Sequence, residues 1–484
     1  MGRSAWIRFR PFVALVALIA PLQFPFGTSQ VDATTAAKPV GTPSVLFILL
    51  DEASMWSLLR TDGTINANRF PGFAELARES TWYRDTMTTA QWTVFAVPSM
   101  LESRLPTFDK KWDYRSHPKN LFAAVEGTLA YDVQEPVTSL CPKRLCTRAM
   151  QKNARMAPSD HVAQIESMVA RASVSNVPTL HFVHSVLPHH PWALTPEMRI
   201  SSNDTEDNRS GWIPDRKRDS YQSHLRQYVA LDSVIGSAMR TLKASGNWDD
   251  TMVVVTADHG LTFAPGSNIR DKVDPSKKYA MDDVFRVPLF IKYPNQQTAA
   301  ISNCAVSTMD IVPTVLSVVG VKKNWGFDGK DLTKGCPRRV SRHVHWPDGE
   351  TDINSHFRDL MKRVAFYDKW IDANGNADDI ARIGRSAALV GTSVPDDAAV
   401  ETRITWRLDR PNDYQTIGSA RFAPVPARAT GKFTVRRSLG TRTEGLIVVD
   451  GTIVGVAAEF AGRRKSSSPY FFSSTLMTSA LHPG

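Results

Sequence analysis

Two pairs of residues with metal-binding side chains each follow an apolar run, and the two runs lie far apart in the chain. Asp51 and Glu52 follow the first run, and Asp258 and His259 follow the second. Carboxylate oxygens and imidazole nitrogens together form a common ligand set for divalent ions. We therefore expect these four side chains to hold one divalent metal ion. Zinc or manganese suits this set best, with calcium or magnesium as alternatives.

The two apolar runs, 45–50 and 252–257, consist of aliphatic and β-branched residues without polar alternation. This pattern is typical of strands that are buried on both faces in a parallel sheet covered by helices. Ligands of such sheets lie just beyond the carboxyl ends of the strands. Both runs should therefore bring their polar ends to the same edge. For either end taken alone, an aspartate that only caps a following helix is the ordinary alternative.

Several segments between and after these runs carry a family resemblance through their order. They are 45–52, 69–80, 93–101, 187–192, 256–260, 286–294 and 309–316. This ordered set resembles the sulfatase-like branch of the alkaline phosphatase superfamily over about residues 44–330. The resemblance implies an α/β fold, an alkaline-phosphatase-like sandwich with a mostly parallel central sheet flanked by helices. Sulfatases keep two adjacent aspartates at the first strand tip, whereas phosphotransferase relatives keep a glutamate. The resemblance to the phosphotransferases favours Glu52 over Asp51 as the metal ligand, and the sulfatase pattern keeps both positions open.

The nucleophile distinguishes the subclasses of these enzymes. In sulfatases that use formylglycine, a cysteine or serine stands two residues before a proline that is followed by a small residue and an arginine. This chain has Ala96 two residues before Pro98, and Met100 in place of the arginine. Alanine cannot be converted to formylglycine, so the resemblance does not extend to that sulfate-ester chemistry.

Thr93 is the candidate nucleophile by a second resemblance. The envelope phosphoethanolamine transferases place a threonine five residues before the proline, and Thr93 stands five residues before Pro98. This resemblance implies that Thr93 attacks a phosphate ester and forms a covalent intermediate. The ordinary role of such a threonine is a helix N-cap. The competing hydroxyls nearby are Thr88, Thr89 and Ser99.

His189 is the candidate general acid. It resembles the histidine that relatives place in a His-x-Pro-aromatic loop beside the substrate, where it protonates a leaving alkoxide or binds the transferred group. The alternative for His189 is a structural role in a proline-rich loop. His190 is a weaker candidate for the general acid than His189. Arg270 and Lys272 follow the Asp-His-Gly segment, where a cation could hold an anionic group. We expect purely structural hydrogen bonds or scaffold positions for His181, His184, His343, His345, Asp232 and Asp310.

Residues 1–33 predict a signal peptide or a retained membrane anchor. Three arginines precede an apolar stretch that two prolines interrupt, and the stretch is too short for a comfortable membrane span. We therefore expect export to the periplasm or the outside of the cell, with membrane anchoring if the segment is retained. Four cysteines suit an exported chain because an even number favours disulfides. Four cysteines can form two disulfides in three ways, of which Cys141–Cys146 with Cys304–Cys336 closes the shortest loops.

Composition divides the remaining chain into three parts. Residues 34–43 form a small-residue and proline linker, 44–335 the sulfatase-like catalytic domain, and 336–484 a C-terminal extension that is helical and then β-rich. Within the extension, apolar residues over 357–371 lie on one helical face and predict a packing helix. Asp450-Gly451 predicts a hairpin turn. Residues 199–220 are polar and predict a surface loop.

A net charge of +10 and an isoelectric point near 9.4 favour an anionic partner. No nucleic-acid motif is present in the sequence, so we expect an envelope substrate, either a phospholipid, a phosphorylated polymer or a sulfated glycan. The resemblance implies a metal-dependent hydrolase or phospho-group transferase that acts on phosphate esters in preference to sulfate esters. The alternatives are a sulfuric ester hydrolase and a non-catalytic relative that binds an anionic glycan or lipid.

Overall fold

The computed structural model describes most of the chain after residue 40. The described residues are 41–146, 157–203, 217–265, 278–339, 341–346, 349–394, 404–435, 444–458, 460–462 and 469–483. The expected signal segment, most of the linker, Arg270 and Lys272 lie outside these ranges.

The helices and strands of the described residues are as follows. The helices are α1 (Pro71–Glu79), α2 (Thr93–Glu102), α3 (Leu121–Ala124), α4 (Pro158–Ser173), α5 (Lys217–Ala244), α6 (Lys278–Phe285), α7 (Ile311–Val318) and α8 (Phe357–Asp368). The strands up to α8 are β1 (Ser44–Asp51), β2 (Thr81–Tyr83), β3 (Thr86–Met87), β4 (Ala130–Gln134), β5 (Thr179–Pro188), β6 (Ile200–Ser201), β7 (Thr251–Ala257), β8 (Leu289–Lys292), β9 (Ala300–Ser302), β10 (Val306–Ser307), β11 (Arg342–Trp346) and β12 (Gly349–Ile353). The later strands are β13 (Ile404–Leu408), β14 (Pro424–Val425), β15 (Arg428–Val435), β16 (Gly445–Val449), β17 (Thr452–Ala457), β18 (Phe460–Gly462) and β19 (Tyr470–Thr475).

A seven-stranded sheet in the order β4-β5-β1-β7-β8-β2-β9 forms the centre of the molecule. β1 is parallel to both β5 and β7, β4 is parallel to β5, and β8 runs antiparallel to β7 and β2. In β1, residues 46, 48 and 50 face one apolar core, and residues 45, 47 and 49 face another. Both faces of the strand are therefore buried, which explains its lack of polar alternation and confirms the predicted parallel sheet.

Helices cover both faces of this sheet. The core on one face contains residues of α1, α4, α5 and α8, and the core on the other face contains residues of α2, α3 and α7. The family-motif segment 69–80 contains α1, whose N-terminus is held by Asp232 through the amides of Gly72 and Phe73 at 2.9 and 2.7 Å. This contact confirms the scaffold role predicted for Asp232.

The C-terminal extension begins with the hairpin β11–β12, which packs against α6, and continues with α8, which belongs to the main core. Phe357, Leu360 and Val364 of α8 are buried in the same apolar core as α1 and α5, so the predicted packing helix is confirmed. The later strands form a separate four-stranded sheet in the order β13-β15-β19-β18 and the hairpin β16–β17. Asp450 and Gly451 form its turn with φ angles of 48° and 78°, the left-handed region that such hairpin turns require.

Other sequence predictions have mixed outcomes. Both disulfides form as expected, Cys141–Cys146 and Cys304–Cys336, with Cα atoms 6.1 and 5.3 Å apart. The loop predicted over 199–220 is wrong at its end, because α5 is already helical at Lys217 and carries Asp219 in its first turn, where a carboxylate favours a helix N-terminus. Among the described residues, no helix has the length and apolarity needed to cross a bilayer.

Candidate functional site

The tips of β1 and β7 are neighbours because the strands pair in register up to Leu50 and Ala257. The Asp258 amide donates to the Leu50 carbonyl at 3.0 Å and extends this pairing by one residue. As a result, Asp51, Asp258 and His259 each offer a ligand atom within 4.8 Å of the others. We call these three residues the strand-tip cluster.

The strand-tip cluster has the chemistry of a divalent metal site. The Nε2 atom of His259 lies 3.5 Å from Asp258 Oδ2 and 4.0 Å from Asp51 Oδ1. All three residues are buried, and Asp258 Oδ2 accepts no hydrogen bond within the described part of the chain. Two buried carboxylates at one place are costly unless a cation compensates them. The donor set and its burial therefore fit one bound divalent ion.

Glu52 lies beside this cluster and faces a different partner. Its φ of 58° is unusual for a residue other than glycine and turns the chain sharply after β1. The Glu52 amide donates to Asp258 Oδ1 at 3.3 Å, so the backbone contributes to the cluster. Its carboxylate lies 3.6 Å from Nε2 of His189 and accepts the His190 amide at 3.4 Å. The structure thus groups Asp51 with Asp258 and His259, and Glu52 with the predicted general acid His189.

Thr93 is the first residue of α2, and its hydroxyl lies 3.4 Å from Nε2 of His259. The position is half-buried, at a helix N-terminus where backbone N–H groups favour an anion. Ala96, the residue at the formylglycine position, is fully buried one turn later. Of the competing hydroxyls, Thr89 and Ser99 bond each other at 2.7 Å, and Ser99 also donates to the Arg104 carbonyl.

The loop after β7 is held by close contacts at Gly260. A Cβ atom there would come within 2.5 Å of the Asp283 carbonyl and 2.6 Å of Ser54 Oγ, so only glycine fits. Ser54 accepts the Leu261 amide at 2.9 Å and so joins the loop after β1 to the loop after β7. This role of Ser54 could not be predicted, because a serine three residues beyond a strand tip carries no distinguishing sequence pattern.

A buried ion pair supports the same loop from the C-terminal extension. Arg363 of α8 donates two hydrogen bonds to the Asp283 carboxylate at 2.7 and 2.8 Å. The Asp283 carboxylate also accepts from Thr262 at 2.7 Å and from the Tyr367 hydroxyl at 2.8 Å. The Tyr367 oxygen in turn accepts the Phe263 amide at 3.0 Å. The extension therefore fixes the backbone that follows His259.

His224 on α5 is a further buried histidine that the sequence analysis did not single out. It lies fully buried among the rings of Trp192, Phe263 and Tyr228. Burial lowers the pKa of His224 to about 4, although the charge of nearby Glu52 acts in the opposite direction. His224 is therefore neutral at pH 7 and forms part of the apolar wall behind the site.

The remaining predicted histidines fall into two groups. His181 and His184 contact Asp132 and Glu135 at 3.2 and 2.7 Å, which confirms their expected hydrogen-bonding roles. His343 contacts Asp352 at 3.0 Å, as expected of a hydrogen-bonding residue. His343 and His345 also form a second carboxylate–imidazole cluster with Glu350 on the hairpin β11–β12, which no sequence pattern had indicated. Asp310 accepts the amides of residues 307 and 330 and is a scaffold residue as expected.

Comparison with known proteins identifies related sequences. The Sulfatase family profile matches residues 149–321, a segment that contains His189, Asp258 and His259 but not Asp51 or Thr93. The ulvan-active sulfatase of Formosa agariphila is 28% identical over 187 residues, which cover 37% of this chain and 36% of that protein. The low-salt glycan biosynthesis sulfotransferase Agl7 of Haloferax volcanii is 23% identical over 284 residues, which cover 57% of this chain and 65% of that protein.

The solved structures support the same fold. A 2-O GAG sulfatase superimposes with a TM-score of 0.50 at 13% identity, covering 63% of this chain and 78% of that chain. This likeness confirms the alkaline-phosphatase-like α/β architecture. The matched part of this chain spans about a third of the length of the ulvan-active sulfatase.

Proposed function

We propose that this chain, part of which is similar to sulfatases, is a metal-dependent enzyme that cleaves or transfers phosphate esters through a covalent intermediate on Thr93. The observation that carries this proposal is the position of the Thr93 hydroxyl, 3.4 Å from Nε2 of His259 at the strand-tip cluster. Ala96 at the formylglycine position is buried and has no reactive group. Thr93 is then the hydroxyl best placed to attack an ester bound at the cluster.

The proposed ion is held by Asp51, Asp258 and His259, with zinc or manganese favoured. When bound, such an ion lowers the pKa of a nearby hydroxyl and neutralises the oxygens of the ester group. The N-terminus of α2 orients the Thr93 hydroxyl, and its backbone N–H groups favour the same anionic group. Gly260 and Ser54 hold the two strand-tip loops against each other, so the site is organised before substrate arrives.

His189 is the proposed general acid. Its side chain remains 18% exposed, while the Glu52 carboxylate 3.6 Å away is 4% exposed. This contact holds the imidazole in place beside the strand-tip cluster, where a general acid is needed. Thr93 Oγ releases its proton to solvent and forms a bond to phosphorus, the bond from phosphorus to the leaving oxygen breaks, and His189 gives its proton to that oxygen. Water then attacks the same phosphorus and gives a proton to His189, and the bond from phosphorus to Thr93 Oγ breaks, which frees Thr93. An acceptor alcohol in place of water gives transfer.

An anionic glycan or lipid of the cell envelope is the proposed substrate. The net charge of +10 supports an anionic partner, and sulfatases of ulvan and glycosaminoglycans are among the similar proteins. An exported location agrees with the arginine-led apolar N-terminal segment and with two disulfides. Those named relatives also favour a second candidate, hydrolysis of sulfate esters on such a glycan.

Chromogenic esters distinguish these possibilities. We expect zinc- or manganese-loaded protein to release nitrophenol from a nitrophenyl phosphodiester faster than from nitrophenyl sulfate, and chelation to abolish both reactions. Faster turnover of the sulfate would replace the phosphate proposal with the second candidate. No turnover of either ester by metal-loaded protein, together with retention on an anionic glycan column, would instead support the non-catalytic alternative.

A further inference from the structure

The hairpin β11–β12 carries a second group of metal-binding side chains, apart from the strand tips. His343, His345 and Glu350 each offer a ligand atom within 4.8 Å of the others. We call these three residues the hairpin cluster. From its donor atoms and their spacing, we propose that the hairpin cluster is a zinc site distinct from the strand-tip cluster.

The strand register explains why these residues meet. His343 and His345 are two positions apart in β11, so both side chains project from the same face of the hairpin. Opposite them in β12 lie Asp352 and Glu350, which pair with His343 and His345 respectively. Val344 and Trp346 alternate with the two histidines along β11 and pack on the other face against α6. The buried face therefore fixes the hairpin, and the opposite face presents the four polar side chains together.

The distances suit a tetrahedral ion. Glu350 Oε2 lies 3.5 Å from Nε2 of His343 and 3.1 Å from Nδ1 of His345. Ligand atoms of a tetrahedral zinc site, with bonds of about 2.0–2.1 Å, are about 3.3 to 3.4 Å apart. Two imidazoles and one carboxylate are also a ligand set that zinc uses in proteins. One oxygen facing two imidazole nitrogens at this spacing leaves room for an ion and for water as the fourth ligand.

Asp352 strengthens this assignment by its contact with the other nitrogen of a ligand. Its Oδ1 lies 3.0 Å from Nδ1 of His343, the nitrogen that faces away from Glu350. A carboxylate that accepts the second N–H of a histidine fixes the ring and its tautomer, and this arrangement is typical of zinc-binding histidines. Asp352 is thus a positioning residue for His343.

The hairpin cluster is connected to the segment that leads to Thr93. The His345 amide donates to the Thr89 carbonyl at 2.8 Å, and Ala90 forms a bridge with His345. The His345 ring also contacts Phe108, which packs against Phe95 in the first turn of α2. Zinc at the hairpin would therefore stiffen the support of the nucleophile helix without touching the substrate.

Zinc stoichiometry of the full-length protein tests the proposal. After equilibration with zinc and removal of loosely bound ions, elemental analysis should give two zinc ions per chain for the unaltered protein and one for Glu350→Ala. The Glu350 side chain is 61% exposed, so its truncation should leave the fold intact. Glu126→Ala is the matched control, because Glu126 is also exposed and ion-paired but lies outside both clusters, and it should retain both ions. Equal zinc contents in Glu350→Ala and the unaltered protein would overturn the proposal.

Asp258→Asn separates this proposal from the metal site of the proposed function. The variant should lose the strand-tip ion and keep the hairpin ion, so zinc should still raise its melting temperature. In the double variant Asp258→Asn with Glu350→Ala, zinc should no longer raise it. The absence of a zinc-dependent rise in Asp258→Asn, or an equal rise in the single and double variants, would contradict a zinc site at the hairpin.

Discussion

The strand-tip cluster and the hairpin cluster contain similar groups but are built in opposite ways. The first joins residues from two neighbouring strands of the central sheet that lie far apart in the sequence, and it buries them almost completely. The second takes its residues from one hairpin and leaves Glu350 61% exposed. Electrostatic interactions are stronger where water is excluded, so the buried cluster is suited to chemistry. The exposed cluster is suited to binding an ion that stabilises local structure.

Asp258→Asn should produce the largest difference between the clusters. Loss of a buried carboxylate from the reacting site should lower kcat/KM on the order of a thousandfold, as removal of one preorganised group does in other enzymes. Glu350→Ala should lower it less than about tenfold, because the hairpin acts only by supporting α2. Steady-state kinetics on the phosphodiester measures both values. Similar losses in the two variants would contradict the functional distinction between the clusters.

Arg363→Ala tests how the strand-tip cluster depends on the C-terminal extension. The change leaves the buried Asp283 carboxylate without its bidentate partner, which should lower the free energy of unfolding by about 3 to 5 kcal/mol. Lys362→Ala is the matched control, since its side chain is 80% exposed, and its effect should stay within about 0.5 kcal/mol. Urea denaturation measures both. A small effect at Arg363 would mean that the extension does not support the site.

His224→Phe tests the apolar wall through the pH dependence of stability. The folded-state pKa of about 4 lies below the ordinary value of about 6.5. Between these values the unfolded chain binds a proton that the folded chain does not, so stability falls as the pH falls. Between pH 7 and pH 4.5, the free energy of unfolding of His224→Phe should fall by about 2 to 3 kcal/mol less than that of the unaltered protein.

Urea denaturation at the two pH values gives this difference. His356→Phe alters an exposed histidine and should keep the pH dependence of the unaltered protein. An unchanged pH dependence in His224→Phe would show that His224 titrates normally in the folded chain.

Asp51→Asn and Glu52→Gln separate the two adjacent carboxylates. If Asp51 binds the ion and Glu52 orients His189, Asp51→Asn should lose the strand-tip metal. Glu52→Gln should keep it and lower kcat by about 10- to 100-fold, the usual cost of losing an orienting partner. Metal analysis with steady-state kinetics checks both. Metal loss in Glu52→Gln would show that Glu52 is a metal ligand, which the phosphotransferase resemblance favoured.

Much of the central fold could be predicted from the sequence because its signals are strong and local. The runs 45–50 and 252–257 are apolar throughout, and burial on both faces leaves no other simple explanation. Family motifs then indicated which residues follow the strand tips. The convergence of Asp51, Asp258 and His259 followed from parallel pairing, since the carboxyl ends of parallel strands meet at one edge.

The different contacts of Asp51 and Glu52 could not be predicted in the same way. It depends on the left-handed turn at Glu52, which no residue type in that position signals. The hairpin cluster was missed because histidines two positions apart in a strand are ordinary, and their carboxylate partners become evident only from the register of β11 and β12. The Asp283–Arg363 pair joins two helices that lie far apart in the sequence, and patterns in a single sequence do not indicate such contacts.

The covalent state of Thr93 is the most direct test of the proposed chemistry. Protein mixed with a nitrophenyl phosphodiester and quenched in acid should yield a peptide in which Thr93 carries the transferred phosphoryl group, identified by tandem mass spectrometry. Thr93→Ala should give no adduct and almost no turnover while keeping its fold and metal content, and Thr93→Ser should retain part of the activity. An adduct on Ser99 or another residue, or near-normal turnover in Thr93→Ala, would contradict the assignment of Thr93 as the nucleophile.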